Sequence, residues 1–375
     1  MYKTGWSAPE PVFRRRLRDS FHSDKPAAVA TIVDVRGSAY RRPGAKMLYD
    51  GSGATGAITA GCLEHELADT SGRVCSVGEP ELVTYDLTSD EDDSWGLGVG
   101  CEGVVTALLE PVAQRYSPVI EAFTSRQPIA AITVVNDETE TLEPGSRAYY
   151  HPKNKHFVPW DGDNSDWDRR ALLNQVEALI SQEQTTVTTI ERDTQPLHVF
   201  VDRIEPLPKL VVFGSGRDVG PVVHAGSNAG FRVTVAGFRG GIDLDTGFPD
   251  ADQTLTTSPS QISDVLTLCK RTYAVVMTHN FVDDCVTVDE LLGLPVPYIG
   301  VMGPEERFEK LSAELQLPPD TDLSRVYAPI GLDLGGGSPH QIGHSIIAEV
   351  LAVWNETTPD HLRSSSGPIH DRIDD

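Results

Sequence analysis

No stretch of this 375-residue chain approaches the ~20 consecutive apolar residues that a membrane-crossing helix needs. The opening run MYKTGWSAPEPVFRRRLRDS also lacks the apolar core of a secretory leader. Both absences point to a cytoplasmic protein with no membrane partner. Cysteine is sparse: Cys62, Cys75, Cys101, Cys269 and Cys285 are an odd five, with no CxxC pair among them. That argues against a disulfide framework and against a structural zinc centre, so no metal site is expected. Lysine is scarce too, supplying 8 of 31 basic residues against 55 acidic ones. The net charge of −24 repels a nucleic-acid backbone, which sets aside DNA and RNA partners.

A chain this long exceeds what one core usually supports, so two domains are expected. The first, residues 1–135, alternates short β-like runs with glycine-rich turns and reads as an α+β domain with a mainly antiparallel sheet. Residues 136–207 open on a Pro, Gly, Asn, Asp and Trp-rich stretch without a sustained period. They read as a connecting region with one helix (Arg169 to Ser181) and one strand (Leu197 to Ile204). Residues 208–355 change character, with continuous apolar strands (Leu210–Phe213, Arg232–Ala236, Ala274–Met277, Tyr298–Val301) alternating with helical stretches. This is the pattern of a Rossmann-type, doubly wound parallel sheet, so the chain as a whole is α/β. Its last helix starts at Ser338 as N-cap, with Pro339 and Gln341 completing a capping box. The polar tail 356–375 reads as disordered.

Several groups of residues can carry chemistry. After the strand ending at Phe213 comes Gly214-Ser215-Gly216-Arg217-Asp-Val-Gly220, a glycine turn opening a helix, where bare backbone and the helix dipole can meet a phosphate. Its spacing is one residue longer than the dinucleotide fingerprint, and a plain β-to-α turn remains the competing reading. The acidic residue that would hold an NAD ribose is absent, since Gly237 stands there. Arg239 is positioned to meet a phosphate as in NADP sites, or is a solvated arginine. Thr278 and His279 close the third strand at the sheet's carboxyl edge, and His279 is read as a base or phosphate contact or as a turn cap. His340 and His344, four apart on one helix, lack a third ligand and read as surface histidines.

In the first domain, Gly61-Cys62-Leu-Glu64 joins a strand to a helix, so the Cys62 thiol sees the positive end of that helix. Gly98-Val-Gly100-Cys101-Glu-Gly103 is a second glycine-flanked thiol. Small buried hydrophobes at tight bends are the alternative for both; Cys75, Cys269 and Cys285 read as structural. The run Arg36 to Lys46, with Arg41 and Arg42, gathers cations that suit a phosphate or pterin-type ligand, or that pair with the many carboxylates.

Together these residues resemble the XdhC/CoxI family. The likeness rests on Gly37-Ser38 with Arg41-Arg42-Pro-Gly-Ala-Lys46-Met47, Gly61-Cys-Leu-Glu64, Gly100-Cys101-Glu-Gly103, the Gly214 loop, Met277-Thr-His-Asn280, Tyr298-Ile-Gly300, and Pro329-Ile-Gly-Leu-Asp333 through Ser345-Ile-Ile-Ala-Glu349. The resemblance implies a nucleotide-binding accessory chaperone that binds molybdenum cofactor in its molybdopterin form. Such a protein assists sulfuration of the cofactor and delivers it to a xanthine or carbon monoxide dehydrogenase-type apoenzyme, with a cysteine desulfurase as a further partner and homo-oligomerisation expected. By the same resemblance, Cys62 and Cys101 are the cofactor contacts, facing a cleft against the Rossmann half. The sequence departs from the family at Gly237, at His340 and His344, and at Pro304-Glu-Glu306, which bears on the nucleotide's identity. An NAD(P)-dependent oxidoreductase using the Rossmann sheet is the alternative. No acid/base or nucleophile set stands out, so a stand-alone enzyme is not the expectation.

The acidity predicts a halophilic source, because high ionic strength shortens the Debye length and relieves self-repulsion. Fold and solubility are expected to fall away as potassium chloride is dialysed out, followed by far-UV circular dichroism and light scattering. A protein that stays folded and clear in dilute buffer rules the idea out.

Overall fold

A computed structural model describes residues 7–37, 39–61, 63–87, 103–192, 195–315, 317 and 321–364. The chain divides into two compact units, Met1–Pro206 and Leu207–Asp375.

The first unit begins with helix α1 (Glu10–Phe21), which buries Phe13 and Leu17, and continues into β1 (Ala28–Gly37), β2 (Lys46–Tyr49) and β3 (Ala54–Gly56). Helix α2 (Glu64–Val77), ended by Gly78 in the left-handed conformation, leads to β4 (Glu81–Asp86) and β5 (Gly103–Pro111). Helix α3 (Ser117–Ser125) is followed by β6 (Ile129–Asp137), β7 (Arg147–His151), β8 (His156–Pro159), α4 (Arg169–Ser181), β9 (Thr186–Ile190) and β10 (Leu197–Ile204). The strands form two five-stranded antiparallel sheets of order β3-β2-β1-β5-β4 and β8-β7-β6-β10-β9.

These two sheets are the same structure built twice. Each repeat runs helix, three antiparallel strands, helix, two strands, and the agreement extends to register. Thr31 pairs with Lys46 and Leu108 in one sheet, and Thr133 pairs with Arg147 and Phe200 in the other. Both central strands carry a bulge at the same place, between Ile32 and Asp34 and opposite Val199/His198. Each repeat enters its second strand by a Pro-Gly turn of matching sequence, Arg42-Pro-Gly-Ala-Lys46 and Glu143-Pro-Gly-Ser-Arg147. Backbone bonds Gly44 N–Ile32 O and Gly145 N–Val134 O, both 2.8 Å, close the turns. Gly44 and Gly145 have φ of +93° and +88°, and a Cβ on either would strike the other repeat: Thr185 at 2.9 Å and Pro80 at 2.5 Å. Glycine is required at both positions by conformation and by space.

The repeats exchange charges across their common boundary. Arg147, the first residue of β7, forks onto Glu110 of β5 at 2.6 and 2.7 Å. Lys46, the first residue of β2, meets Asp202 of β10 at 2.8 Å. Glu110 and Arg147 are almost wholly buried. Burial pulls the guanidinium's pKa down, but Glu110 together with the Tyr149 and Tyr116 hydroxyls more than offsets this and the net direction is up. Tyr116 donates to Glu110 at 3.1 Å, and burial first, then that carboxylate, push its hydroxyl well above the ordinary range.

This architecture corrects the domain reading. Residues 136–207 are not a connection with one helix and one strand: they complete the second sheet, whose core gathers Trp167, Phe157, Tyr150 and Leu172. Strands β7, β8 and β9 are only five, four and five residues long, too short to show a period of two between Gly- and Asp-rich turns.

The second unit has β11 (Lys209–Phe213), α5 (Val219–Asn228), β12 (Arg232–Gly237), α6 (Leu244–Gly247), β13 (Gln253–Thr256), α7 (Ile262–Val265), β14 (Thr272–Val276), α8 (Phe281–Leu292), β15 (Tyr298–Val301), α9 (Glu305–Leu315), β16 (Val326–Tyr327) and α10 (Pro339–Trp354). Its six strands are all parallel, in the order β13-β12-β11-β14-β15-β16. This is the doubly wound dinucleotide-fold order with its switch point between β11 and β14. Alternation sorts the faces: Leu210 and Val212 join α5 and α10 on one side, while Val211 and Phe213 join α7, α8 and α9 on the other. The expected capping box at Ser338 and Gln341 is present. Of the polar tail, 356–364 are described and include a short 3-10 turn at Leu362–Ser364; the remainder lies outside the described residues.

Arg147→Met should lower unfolding free energy by roughly 3–5 kcal/mol by stranding the buried Glu110 charge, and adding Glu110→Leu should recover most of the loss. Urea unfolding followed by tryptophan fluorescence measures both. Equal losses in the single and double variants would refute the charge-burial account.

Candidate functional site

The carboxyl edge of the parallel sheet gathers one group of the expected residues. β11 ends at Phe213, and the chain turns at once through Gly214, whose φ of +145° and whose amide bond to the Ala236 carbonyl (2.9 Å) press it against its neighbours. A Cβ there would lie 2.4 Å from the Met277 carbonyl oxygen, so only glycine fits. Ser215 and Gly216 are half-buried, and Arg217 projects into solvent. Helix α5 then begins at Val219, placing its amino end and bare amides at this edge. Gly220 lies inside the helix, with nothing within 4 Å of where its Cβ would stand. The third glycine of the motif is therefore not demanded by packing.

The opposing loop follows β14. His279 adopts a left-handed backbone, φ +58°, and its Nε2 meets the Asp218 carboxylate at 2.8 Å. The imidazole closes over Gly216, where a Cβ would approach the ring at 3.2 Å. Sequence reasoning named His279 but missed Asp218, which stands inside the glycine loop and which the histidine ring contacts. Thr278 is partly exposed; its hydroxyl donates to the Asp284 carboxylate at 2.5 Å and lies 3.0 Å from the Asn280 carbonyl. Asp284, nearly inaccessible, is also bridged by Arg307 at 2.6 Å, and Arg307 lies over the Phe281 ring. Asn280 caps α8 through the Val282 and Asp283 amides. The Thr278–Asp284–Arg307 chain thus holds the loop that presents His279. Arg239 is exposed just past β12, and a Cβ at Gly237 would press Leu244 at 3.1 Å.

The remaining motif residues of this unit serve as scaffold. Glu349 of α10 accepts from the Tyr298 hydroxyl at 2.7 Å and from the Gly331 amide at 2.9 Å. Ser345 donates to the Leu332 carbonyl. Burial first, then Glu349, push the Tyr298 hydroxyl well above its usual range. His344 is held by the His340 carbonyl through Nδ1, and among the described residues no group of three metal-ligating side chains exists.

In the first unit, Cys62 and Cys101 lie outside the described residues, as do Ser38 and the Glu64 side chain. Gly61 is exposed with φ +125°. The expected cation group separates: Lys46 is spent on Asp202 and on the Gly44 carbonyl (3.0 Å), whereas Arg41 is exposed. The Arg42 Nε is buried with no hydrogen-bond partner among the described residues. Lys46 is thereby a structural cation first, a role that only the fold reveals. Cys75, read as structural, is half-exposed on α2 and lines a cavity of about 990 Å³.

Comparison with known proteins now adds to this geometry. The XdhC and CoxI family matches residues 21–86, and the XdhC Rossmann domain matches residues 210–350. A Bacillus subtilis protein, named as a probable component of xanthine dehydrogenase, is 30% identical over 349 residues, covering 90% of this chain and 96% of that one. An uncharacterized Escherichia coli protein is 22% identical over 175 residues, 46% of this chain and 32% of its own. A crystal structure described as a xanthine dehydrogenase from Bacillus halodurans superimposes with a TM-score of 0.73 at 28% identity, covering 92% of this chain and 96% of that one.

Gly214→Ala is expected to cost roughly 1–3 kcal/mol through backbone strain and the clash with Met277, whereas Gly220→Ala in the α5 helix should gain about 0.5–1 kcal/mol. Denaturant midpoints of the two variants decide it. Equal effects would show that the loop is not sterically fixed.

Proposed function

This chain belongs to the XdhC and CoxI family, and on that premise we propose that it is a cytoplasmic accessory protein for a xanthine or carbon monoxide dehydrogenase-type molybdoenzyme. In this reading it holds molybdenum cofactor in its molybdopterin form, assists its sulfuration with sulfur from a cysteine desulfurase, passes it to the apoenzyme, and works as a homo-oligomer. The observation that carries the reading is family membership over nearly the full chain together with an anion-suited glycine loop.

The residues fit such a guest in chemical terms. The loop from Gly214 to Gly216 bares backbone at the amino end of α5, and His279 engages the Asp218 carboxylate beside it through a 2.8 Å contact. Arg41 and the underused Arg42 supply cationic donors in the other unit. When bound, the cofactor brings a pterin, dithiolene sulfurs and a phosphate. The chain's part is to bind and orient it and to keep it from water. Cys62 and Cys101 are proposed as its sulfur-side contacts, with Gly61 and Glu64 beside the first. Gly214, Ser215, Gly216, Arg217, Thr278 and His279 are proposed as the phosphate-binding group of the second unit, with Thr278 acting through the loop it braces.

One observation favours a second reading. Arg239 stands exposed after β12, where a ribose 2′-phosphate would lie in an NADP-dependent oxidoreductase. Micromolar NADP binding by calorimetry, with turnover of a carbonyl substrate, would replace the accessory role.

The primary test is anaerobic loading with molybdopterin followed by gel filtration. The wild-type chain should retain the cofactor, and Cys62→Ala/Cys101→Ala should retain at least about tenfold less. Retention unaltered in the double variant overturns the thiol assignment, and no retention by the wild type overturns the accessory role.

A further inference from the structure

The duplicated first unit contains its own internal control. Its two repeats share element order, sheet order and register, so a space open in one and filled in the other marks a difference that the fold itself does not require. In the first repeat, α2 and the β2–β3 hairpin border a cavity of about 990 Å³ whose walls include Pro26, Tyr49, Ala54, Ala68, Gly72 and Cys75. This lies at the upper end of the roughly 300–1,000 Å³ of small-molecule sites.

The second repeat packs the same place. Tyr49 pairs with Ala54 across its hairpin, and the equivalent Tyr150 pairs with Phe157, which is buried against Trp167. The helices correspond through their buried residues, Leu67, Ser71 and Val74 against Leu172, Val176 and Leu179. On that correspondence, the cavity residues Ala68, Gly72 and Cys75 stand where α4 has Leu173, Glu177 and Ile180. Leu173 and Ile180 pack on the core, and Glu177 accepts from the Tyr150 hydroxyl at 2.6 Å. A phenyl ring, two branched aliphatic chains and a carboxylate of the second copy have smaller counterparts in the first, which has a concave apolar slot beside a tyrosine ring.

We propose that this slot is a binding site for a planar fused-ring heteroaromatic. The filling it lacks is one aromatic ring flanked by aliphatic bulk, and a flat ring system replaces that filling while stacking beside Tyr49. The slot's wall includes Gly61, which directly precedes Cys62 in the chain. The choice of a pterin as the ring rests on the cofactor role proposed above; the existence of the slot does not.

Pterin is fluorescent and serves as the probe, titrated against the full chain and followed by anisotropy. Ala68→Leu/Gly72→Glu restores two side chains of the second repeat at exposed positions of α2, and a Cβ at Gly72 meets nothing within 4 Å, so the variant should keep its melting midpoint. Pterin binding by the wild type, with affinity at least about tenfold weaker in the plugged variant, supports the slot. Unchanged affinity in the plugged variant overturns it, even if molybdopterin is retained as in the loading assay. Loss in Gly216→Val with none in the plugged variant also overturns it, assigning the ring to the Rossmann unit. Absence of pterin binding by a wild type that does retain molybdopterin overturns the slot and leaves the accessory role standing.

Discussion

The first unit depends on a reciprocal exchange of charge between its two repeats. Each lends the cation that opens its second strand to a carboxylate on the other's last strand, Arg147 to Glu110 and Lys46 to Asp202. Neither pair adds much net stability, because desolvation consumes most of the Coulomb gain. What the pairs impose is alignment. A slip of one residue in β2 or β7 would turn the cation to the opposite face and leave a carboxylate buried alone, so the two sheets have one low-energy arrangement. The Pro-Gly turns reinforce it, since each glycine admits the other repeat's chain where any side chain would collide.

The second unit is organised around a different constraint, the crowding of backbone at the switch point. Gly214 lies against the Met277 carbonyl, and His279 folds back over Gly216 to reach Asp218. Left to itself, a carboxylate within a glycine loop at a helix amino end would repel the anions that such loops attract. In this loop the Asp218 carboxylate is engaged by the His279 ring at 2.8 Å. The bracing by Thr278, Asp284 and Arg307 gives the left-handed His279 backbone its support. At the far edge, Glu349 joins β15, the loop at Gly331 and α10, so the last helix is anchored by a buried polar network in addition to its apolar stripe.

The parallel sheet was legible because its strands are continuous apolar runs and its helices have readable ends; the Ser338 cap appears where the residues put it. β13 and β16 were not, being four and two residues long. The duplication was written in the sequence as Pro-Gly-Ala-Lys46 and Pro-Gly-Ser-Arg147, but a four-residue echo a hundred positions apart carries meaning only once register is known. Glycine motifs pointed correctly to the carboxyl edge. The partners that give that edge its charge balance, Asp218 and Asp284, are ordinary aspartates in sequence, and their roles arise from contacts between loops distant along the chain. Lys46 shows the converse: a cation grouped with Arg41 and Arg42 by proximity is separated from them by a tertiary partner more than a hundred residues away.

Duplication followed by unequal drift accounts for where the chemistry-bearing residues stand. Both glycine-flanked cysteines fall on connections of the first repeat, and one of those connections is much the longer of its pair. Between β4 and β5 the chain runs through sixteen residues that include Cys101, whereas β9 and β10 are joined by six. The match to the XdhC and CoxI family, residues 21–86, likewise falls within the first repeat. The second repeat meanwhile holds the larger aromatic filling, Phe157, Tyr150 and Trp167, and contributes one of each latch pair. A repeat free to pack itself tightly can hold its partner's register through those latches, and the partner can then forgo core volume without losing its fold. That alignment of the first copy by the better-filled second is the physical condition under which an open slot beside Tyr49 can persist.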